Sequence, residues 1–194
     1  MKKKPQLFLL LFVIALTCTL LTGCTSCDKN REPSGESIAP PEKLAYTVNP
    51  DGVTCAVTGL GTVRKSELVI PDEIDGYRVS VIDADAFLGA SITSLTLPDT
   101  VVEIGSNAFY GCARLGSVTL SKNLLIIREG AFRGCAALTS ICLPERLSKI
   151  EHDAFYGCRS LTDVYDLTAD LAVSAGSSDN GSVGRYAQII YRSK

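Results

Sequence analysis

The sequence predicts a mainly β solenoid, a chain wound into stacked coils with one short strand per coil. Three observations predict it. A hexapeptide recurs at an interval of 23 residues, as NAFYGC (107–112), GAFRGC (130–135) and DAFYGC (153–158). That interval divides the chain into ungapped 23-residue units at 95–117, 118–140 and 141–163. An apolar triplet spaced L-x-x-L-x-L crosses each unit boundary, as Ile92/Leu95/Leu97, Leu115/Val118/Leu120 and Leu138/Ile141/Leu143. Self-similarity at a fixed period of this length marks a repeat architecture, in which no unit buries its apolar face alone and its neighbours do so.

Residues 1–23 precede the repeats and read as a signal peptide. Lys2, Lys3 and Lys4 form a basic start, and residues 7–21 form an uncharged apolar run of 15 residues. A membrane-spanning helix needs about 20 apolar residues, so the run fits a secretory signal better. Its end, Leu21-Thr22-Gly23-Cys24, resembles the lipobox of bacterial lipoproteins. The resemblance implies cleavage between Gly23 and Cys24, a diacylglyceryl group on the Cys24 sulfur and acylation of the new amino terminus. Two or three acyl chains give stable anchoring where one is marginal. Cys18 lies inside the discarded run. Residues 24–42, rich in Pro, Ser, Gly and charge, are expected to form a flexible tether carrying Cys27 as an exposed thiol.

Residues 43–67 are expected to form a β-hairpin cap, with Asn49-Pro50-Asp51-Gly52 as the turn. Four repeat units then occupy 68–163. The first, 68–94, is looser, with extra residues around Asp75-Gly76-Tyr77 and Ala90 where the others have Cys. The last two positions of each apolar triplet alternate, as on one face of a strand. Strands stacked in parallel lie about 4.8 Å apart, and the rest of each unit crosses to an irregular or short helical far side. Phe87, Phe109, Phe132 and Phe155 should form one core ladder, and Ile82, Ile104, Ile127 and Ile150 a second. Gly89, Gly111, Gly134 and Gly157 suit a turn that a side chain would obstruct. Cys112, Cys135 and Cys158 recur at the same corner as small buried apolar residues. Neighbouring rungs approach bridging distance, but three cannot all pair among themselves. A fifth copy begins at Val164-Tyr165-Asp166 and fails, so 164–194 reads as a C-terminal capping segment.

Spacing and period match the strand-bearing part of a leucine-rich repeat. The units resemble the BspA-like leucine-rich repeats of bacterial surface proteins, whose consensus runs roughly L-x-x-I-x-I-P-x-x-V-x-x-I-G-x-x-A-F-x-x-C. The resemblance covers 44–163, including IPDEIDGYRVSVI, which matches the usual first repeat. Ala90 for Cys, Ser121 for Pro and Arg128 for the Gly after Ile127 depart from it. It implies an irregular shield over the last coil, here Tyr186, Ile189, Ile190 and Tyr191. It also implies a binding role, as adhesion to host proteins, extracellular matrix or other microbes. A periplasmic or envelope scaffold, or an accessory subunit that captures glycans or peptides for an enzyme, are the alternatives; about four units are few for an adhesin.

Nothing in the pattern points to catalysis, a metal or a cofactor. The net charge of −2 falls to −5 once Lys2, Lys3 and Lys4 are removed. With no Lys/Arg cluster the chain has no footprint for nucleic acid or a basic membrane face. There is no compact Cys/His set for zinc. His152 is a surface residue between Glu151 and Asp153, and Glu103, Arg128 and Glu151 read as a solvated face. Cys55 and Cys142 have no partner that the pattern identifies. The outward strand positions form two rows, Val69, Thr96, Thr119, Cys142 and Tyr165, and Ser94, Ser117, Ser140 and Asp163. Small hydroxyl residues suit any exposed β surface, and they also suit a shallow recognition face. Tyr165 is its first candidate anchor, because aromatic residues are over-represented at binding hot spots. A protein or glycan ligand fits such a face, with the membrane held through the lipid.

Overall fold

A computed structural model describes residues 42–169, 171 and 173–192. The expected signal peptide, Cys24 and almost all of the expected tether lie outside the described residues. The chain opens with an antiparallel hairpin, β1 (Ala45–Val48) and β2 (Thr54–Gly59). It then alternates between a front and a back. On the front comes β3 (Glu67–Val69), and on the back the hairpin β4 (Glu73–Ile74) and β5 (Tyr77–Ile82). Next are β6 (Ser94–Thr96) in front, β7 (Glu103–Ile104) behind, β8 (Ser117–Thr119) in front and β9 (Ile126–Ile127) behind. They are followed by β10 (Ser140–Leu143) in front, β11 (Lys149–Ile150) behind, and β12 (Asp163–Asp166) and β13 (Ile189–Arg192) in front.

The front is two parallel sheets, β3-β6-β8 and β10-β12-β13, and the back is one sheet that runs from the hairpin through β5, β7, β9 and β11. The far side of the coils is therefore stranded, where the sequence suggested irregular or short helical chain. Each back strand after β5 has only two residues. It sits one rung from the next, with Ile82, Ile104, Ile127 and Ile150 in register. Val57 of β2 stands in register with Ile82 and adds a fifth aliphatic to this ladder. All five are buried.

Between the sheets lies the corner that the hexapeptide writes. Phe87, Phe109, Phe132 and Phe155 stack with centroids 5.1, 5.2 and 5.3 Å apart and planes within 14° of parallel. The backbone repeats with them: the Phe87, Phe109 and Phe132 N–H groups each donate to the alanine carbonyl of the next coil, as from Phe109 to Ala131 (2.8 Å). Gly134 and Gly157 have φ of 77° and 82°. A Cβ at Gly157 would touch the Gly134 Cα at 3.4 Å, so a side chain here is opposed by conformation and by the neighbouring coil. Each Cys thiol donates to the Phe carbonyl of the preceding coil: Cys112 to Phe87 (3.1 Å), Cys135 to Phe109 (3.3 Å) and Cys158 to Phe132 (3.1 Å). These cysteines are buried and unbridged. Burial pushes the Cys112 thiol up to about 11, and the neighbouring Cys158 thiol, with burial, raises Cys135 as well.

The hairpin turn forms at Asn49-Pro50-Asp51-Gly52, where Gly52 has φ 66°. The Asp51 carboxylate accepts from the backbone N–H groups of Val53 and Thr54, both at 2.9 Å, and from the Thr54 hydroxyl at 2.6 Å. The Thr54 hydroxyl, more than the two amides, lowers its pKa. Ser121 stands buried where its sister units have proline, and its Oγ accepts the Asn123 N–H at 3.1 Å, tying the same turn differently.

The tail departs from the expected irregular shield. Val164 and Tyr165 of β12 stand in register with Ile190 and Tyr191 of β13, so the chain lays down a further rung. Ile190 packs on the core, but Ile189 and Tyr191 face solvent. Asp166, at the position of Leu143 one coil earlier, is buried. It does not end the winding. Its carboxylate accepts from the Thr168 hydroxyl (2.5 Å) and backbone N–H (3.2 Å) and faces Arg192 Nε at 3.7 Å on the next rung. At the other end of that rung, a helical turn at Asp179–Ser182 with positive φ at Asn180 and Gly181 puts the Gly181 carbonyl 2.7 Å from the Phe155 N–H, standing in for the next corner.

Candidate interaction face

Strand register sets the geometry of the front. Within the first sheet Val69, Thr96 and Thr119 stand in line. Within the second, Cys142, Tyr165 and Tyr191 do. All six face solvent. The parallel row is Ser94 and Ser117, then Ser140 and Asp163, with Ser117 and Ser140 exposed and Ser94 and Asp163 half-buried. Thr162 donates to the Asp163 carboxylate at 2.9 Å. The result is a narrow ribbon of short hydroxyl side chains that ends in an aromatic pair. Tyr165 and Tyr191 stack with centroids 4.6 Å apart and planes 9° from parallel, each more than two-fifths exposed. Sequence reasoning found Tyr165 and placed Tyr191 in the shield. The signal was present in the spacing of Ala187, Ile190 and Arg192, which repeats that of Leu161, Val164 and Asp166.

Cys142 is the one exposed thiol among the described cysteines, with partial burial raising its pKa. Thiolate is the reacting form. A thiol reagent at mildly alkaline pH is expected to label Cys142 well ahead of Cys55, Cys112, Cys135 and Cys158, and Cys142→Ser should remove that fast label. Equal labelling of the corner cysteines, read by peptide mass, would contradict their burial.

A second exposed series went unnoticed in the sequence. The residue between Phe and Gly of each corner forms a ridge along the coil. Arg133 lies over the rings of Tyr110 (5.9 Å) and Tyr156 (5.0 Å), and Arg185 over those of Tyr156 (5.3 Å) and Tyr186 (5.9 Å). Asp153 pins Arg133 at 3.0 Å. The cations already occupy these ring faces, and exposed contacts of this kind contribute about 0.5–1 kcal/mol each. The ridge therefore ties coils together.

The charges that the sequence scattered also join. On the back, Arg128 reaches Glu103 of the preceding coil (2.8 Å) and Glu151 of the next (3.2 Å), and Lys149 reaches Glu151 (2.8 Å). Glu103 raises the Arg128 pKa, and Lys149 before Arg128 lowers that of Glu151. Every carboxylate of this line is held by a cation, which suits cross-coil bracing rather than proton transfer. His152 is an exposed residue 3.6 Å from Asp153. Among the described residues no group of three or more His, Cys, Asp or Glu is placed to hold a metal ion. Among them, too, no helix is long and apolar enough to cross a membrane.

The arrangement offers a surface for binding, and comparison with known proteins agrees. No curated protein matches the chain. A leucine-rich repeat protein from Bacteroides capillosus is 27% identical over 77% of this chain and 93% of its own, with a TM-score of 0.55. A leucine-rich cell surface protein from Faecalibacterium prausnitzii is 27% identical over 78% of this chain and 38% of its own, with a TM-score of 0.60. A leucine-rich repeat protein of T. pallidum shares the fold at 23% identity, over 79% of this chain and 85% of its own, with a TM-score of 0.56. Family and fold support a role in protein–protein interaction or adhesion. Residues 70–170, just over half of the sequence, match the BspA type leucine-rich repeat region in six copies, and the chain belongs to that family.

Proposed function

We propose that the protein is a lipid-anchored cell-surface binding protein whose front ribbon engages a protein partner. The observation that carries this reading is the exposed Tyr165–Tyr191 stack beside a row of short side chains. A pre-stacked aromatic pair supplies contact area at little entropic cost, since its rings are already ordered. Thr96, Thr119, Cys142, Ser117, Ser140 and Asp163 form the surrounding face. In the layout we propose, the signal peptide is 1–23, Cys24 carries the lipid, and 24–42 holds the domain away from the membrane. The hairpin at 43–67, the four units at 68–163 and the closing segment at 164–194 follow. Anchoring rests on the Leu21-Thr22-Gly23-Cys24 pattern, and outward display on family membership and on the description of the F. prausnitzii relative as a cell surface protein.

The test is protease shaving of intact cells that express the chain with a C-terminal tag, beside Cys24→Ala and Tyr165→Ala. Loss of the wild type to protease while an internal marker survives supports display outside the cell. Protection until the envelope is broken overturns adhesion and favours an envelope scaffold. Cys24→Ala is expected to leave the membrane fraction, and if it stays as firmly bound as wild type the lipid anchor is refuted. Tyr165→Ala should be displayed normally and lose binding to whichever surface the wild type holds.

A further inference from the structure

The two sides of the solenoid begin differently. The hairpin β1–β2 extends the back sheet beyond β5, so it caps that side. The front ladder starts at β3, and no described strand pairs with the far edge of β3. In a parallel ladder alternate residues turn their backbone groups to opposite sides. The Ser66 carbonyl accepts from Thr93 N–H (2.7 Å), and the Ile70 N–H donates to the Thr96 carbonyl (3.0 Å), so the even-numbered residues serve β6. Glu67 and Val69 therefore turn their N–H and C=O groups to the open edge.

A cavity of about 470 Å³ lies along that edge, lined by all three residues of β3 and by none of β6. Leu44, Val63 and Ile74 supply apolar lining, and Val69 is 66% exposed. The rim is acidic in effect. Lys43 is paired with Asp75 and Lys65 with Glu42, whereas Glu67 and Glu73 have no ion pair among the described residues.

We infer that this groove takes an extended basic segment of a partner protein as an added strand on β3. The outward backbone groups of Glu67 and Val69 supply the main-chain hydrogen bonds, and the apolar lining receives alternate side chains. Glu67 and Glu73 pair with the Lys or Arg residues of the guest, which sets its sign and speeds its encounter. A second copy of this chain is a poor guest, because it would bring the same carboxylates rim to rim. The groove flanks the first rung, whereas Tyr165 is on the fifth, so the two sites fail or succeed separately.

The experiment uses the full-length protein in detergent and fluorescein-labelled octapeptides, read by anisotropy at low salt. The parent alternates lysine and valine. One control alternates glutamate and valine, and two others carry N-methyl groups on alternate residues in either phase. Saturable binding of the lysine–valine peptide is expected, about tenfold or more tighter than the glutamate–valine peptide. N-methylation should abolish it in the phase that faces β3 and spare it in the other. Glu67→Lys with Glu73→Lys, both at exposed sites that leave the circular dichroism unchanged, should weaken it about tenfold. Val69→Pro removes one outward donor and should do likewise, while Tyr165→Ala binds as wild type. No saturable binding, equal binding of both N-methylated peptides and the parent, or indifference to peptide charge overturns the proposal.

Discussion

Phe132→Ala is expected to cost about 3–5 kcal/mol, the range for truncating a buried aromatic residue, measured as a lower urea midpoint. Phe132 is fully buried and has a ring on each side, Phe109 at 5.2 Å and Phe155 at 5.3 Å. Alanine there opens a hole between two coils and ends both stacks. Domain stability is about 5–15 kcal/mol in all, so the loss is a large share of the total. Position sharpens the expectation. In a solenoid, stability is nearly a sum of unit terms and nearest-neighbour interface terms, and Phe132 belongs to two interfaces. Among the described residues Phe87 stacks on one ring only, and Phe87→Ala should cost about 1 kcal/mol less, the value of one aromatic pair beyond its burial. Equal losses at the two sites would mean that stacking across coils adds nothing to burial.

How much could be read from the sequence depended on how many times each feature was written. The Phe, Ile and Cys ladders were legible because the 23-residue period names the same corner repeatedly. The front rows were legible because a strand alternates sides and the triplets mark which side is in. The back strands were not. Glu103–Ile104 is too short to show alternation, and only register with its neighbours makes it a strand. Tyr191 was misplaced for a different reason. Val164 and Ile190 are in register 26 residues apart, and the buried Asp166 broke the apolar pattern. A carboxylate at a leucine position is tolerable because Thr168 and Arg192 satisfy it, and Arg192 arrives only with the last rung. The β3 groove depended on which sheet the hairpin joins. The turn at Asn49-Pro50-Asp51-Gly52 specifies a hairpin, but nothing local says that it pairs with β5 and leaves the outer edge of β3 without a described strand.

Gly105→Ala is expected to cost about 3 kcal/mol, the upper end for overpacking, although it adds a single methyl group. A Cβ at 105 would lie 2.6 Å from the Ala84 nitrogen, 2.7 Å from the Asp83 carbonyl carbon and 2.9 Å from the Ile82 oxygen. All three are backbone atoms of the preceding coil, so no side chain can swing aside. The positions one and two coils later hold Arg128 and Glu151, whose side chains brace the back face. The close approach is thus particular to the step between the first two coils. There the Gly105 N–H donates to the Ile82 carbonyl at 2.8 Å, and a methyl group must lengthen that bond or tilt the coil. The damage should stay near the step, because each coil meets only its neighbours. Amide exchange is expected to quicken through β5 and the hairpin, while β11 keeps its protection. Arg128→Ala, which removes half-exposed ion pairs, should cost less than about 1 kcal/mol. If Gly105→Ala unfolds at the wild-type urea midpoint, the backbone there yields freely and the close step is not what holds the hairpin and its groove to the solenoid. If protection falls equally in β5 and β11, the coils unfold as one block, and the front ribbon and the β3 groove stand or fall together.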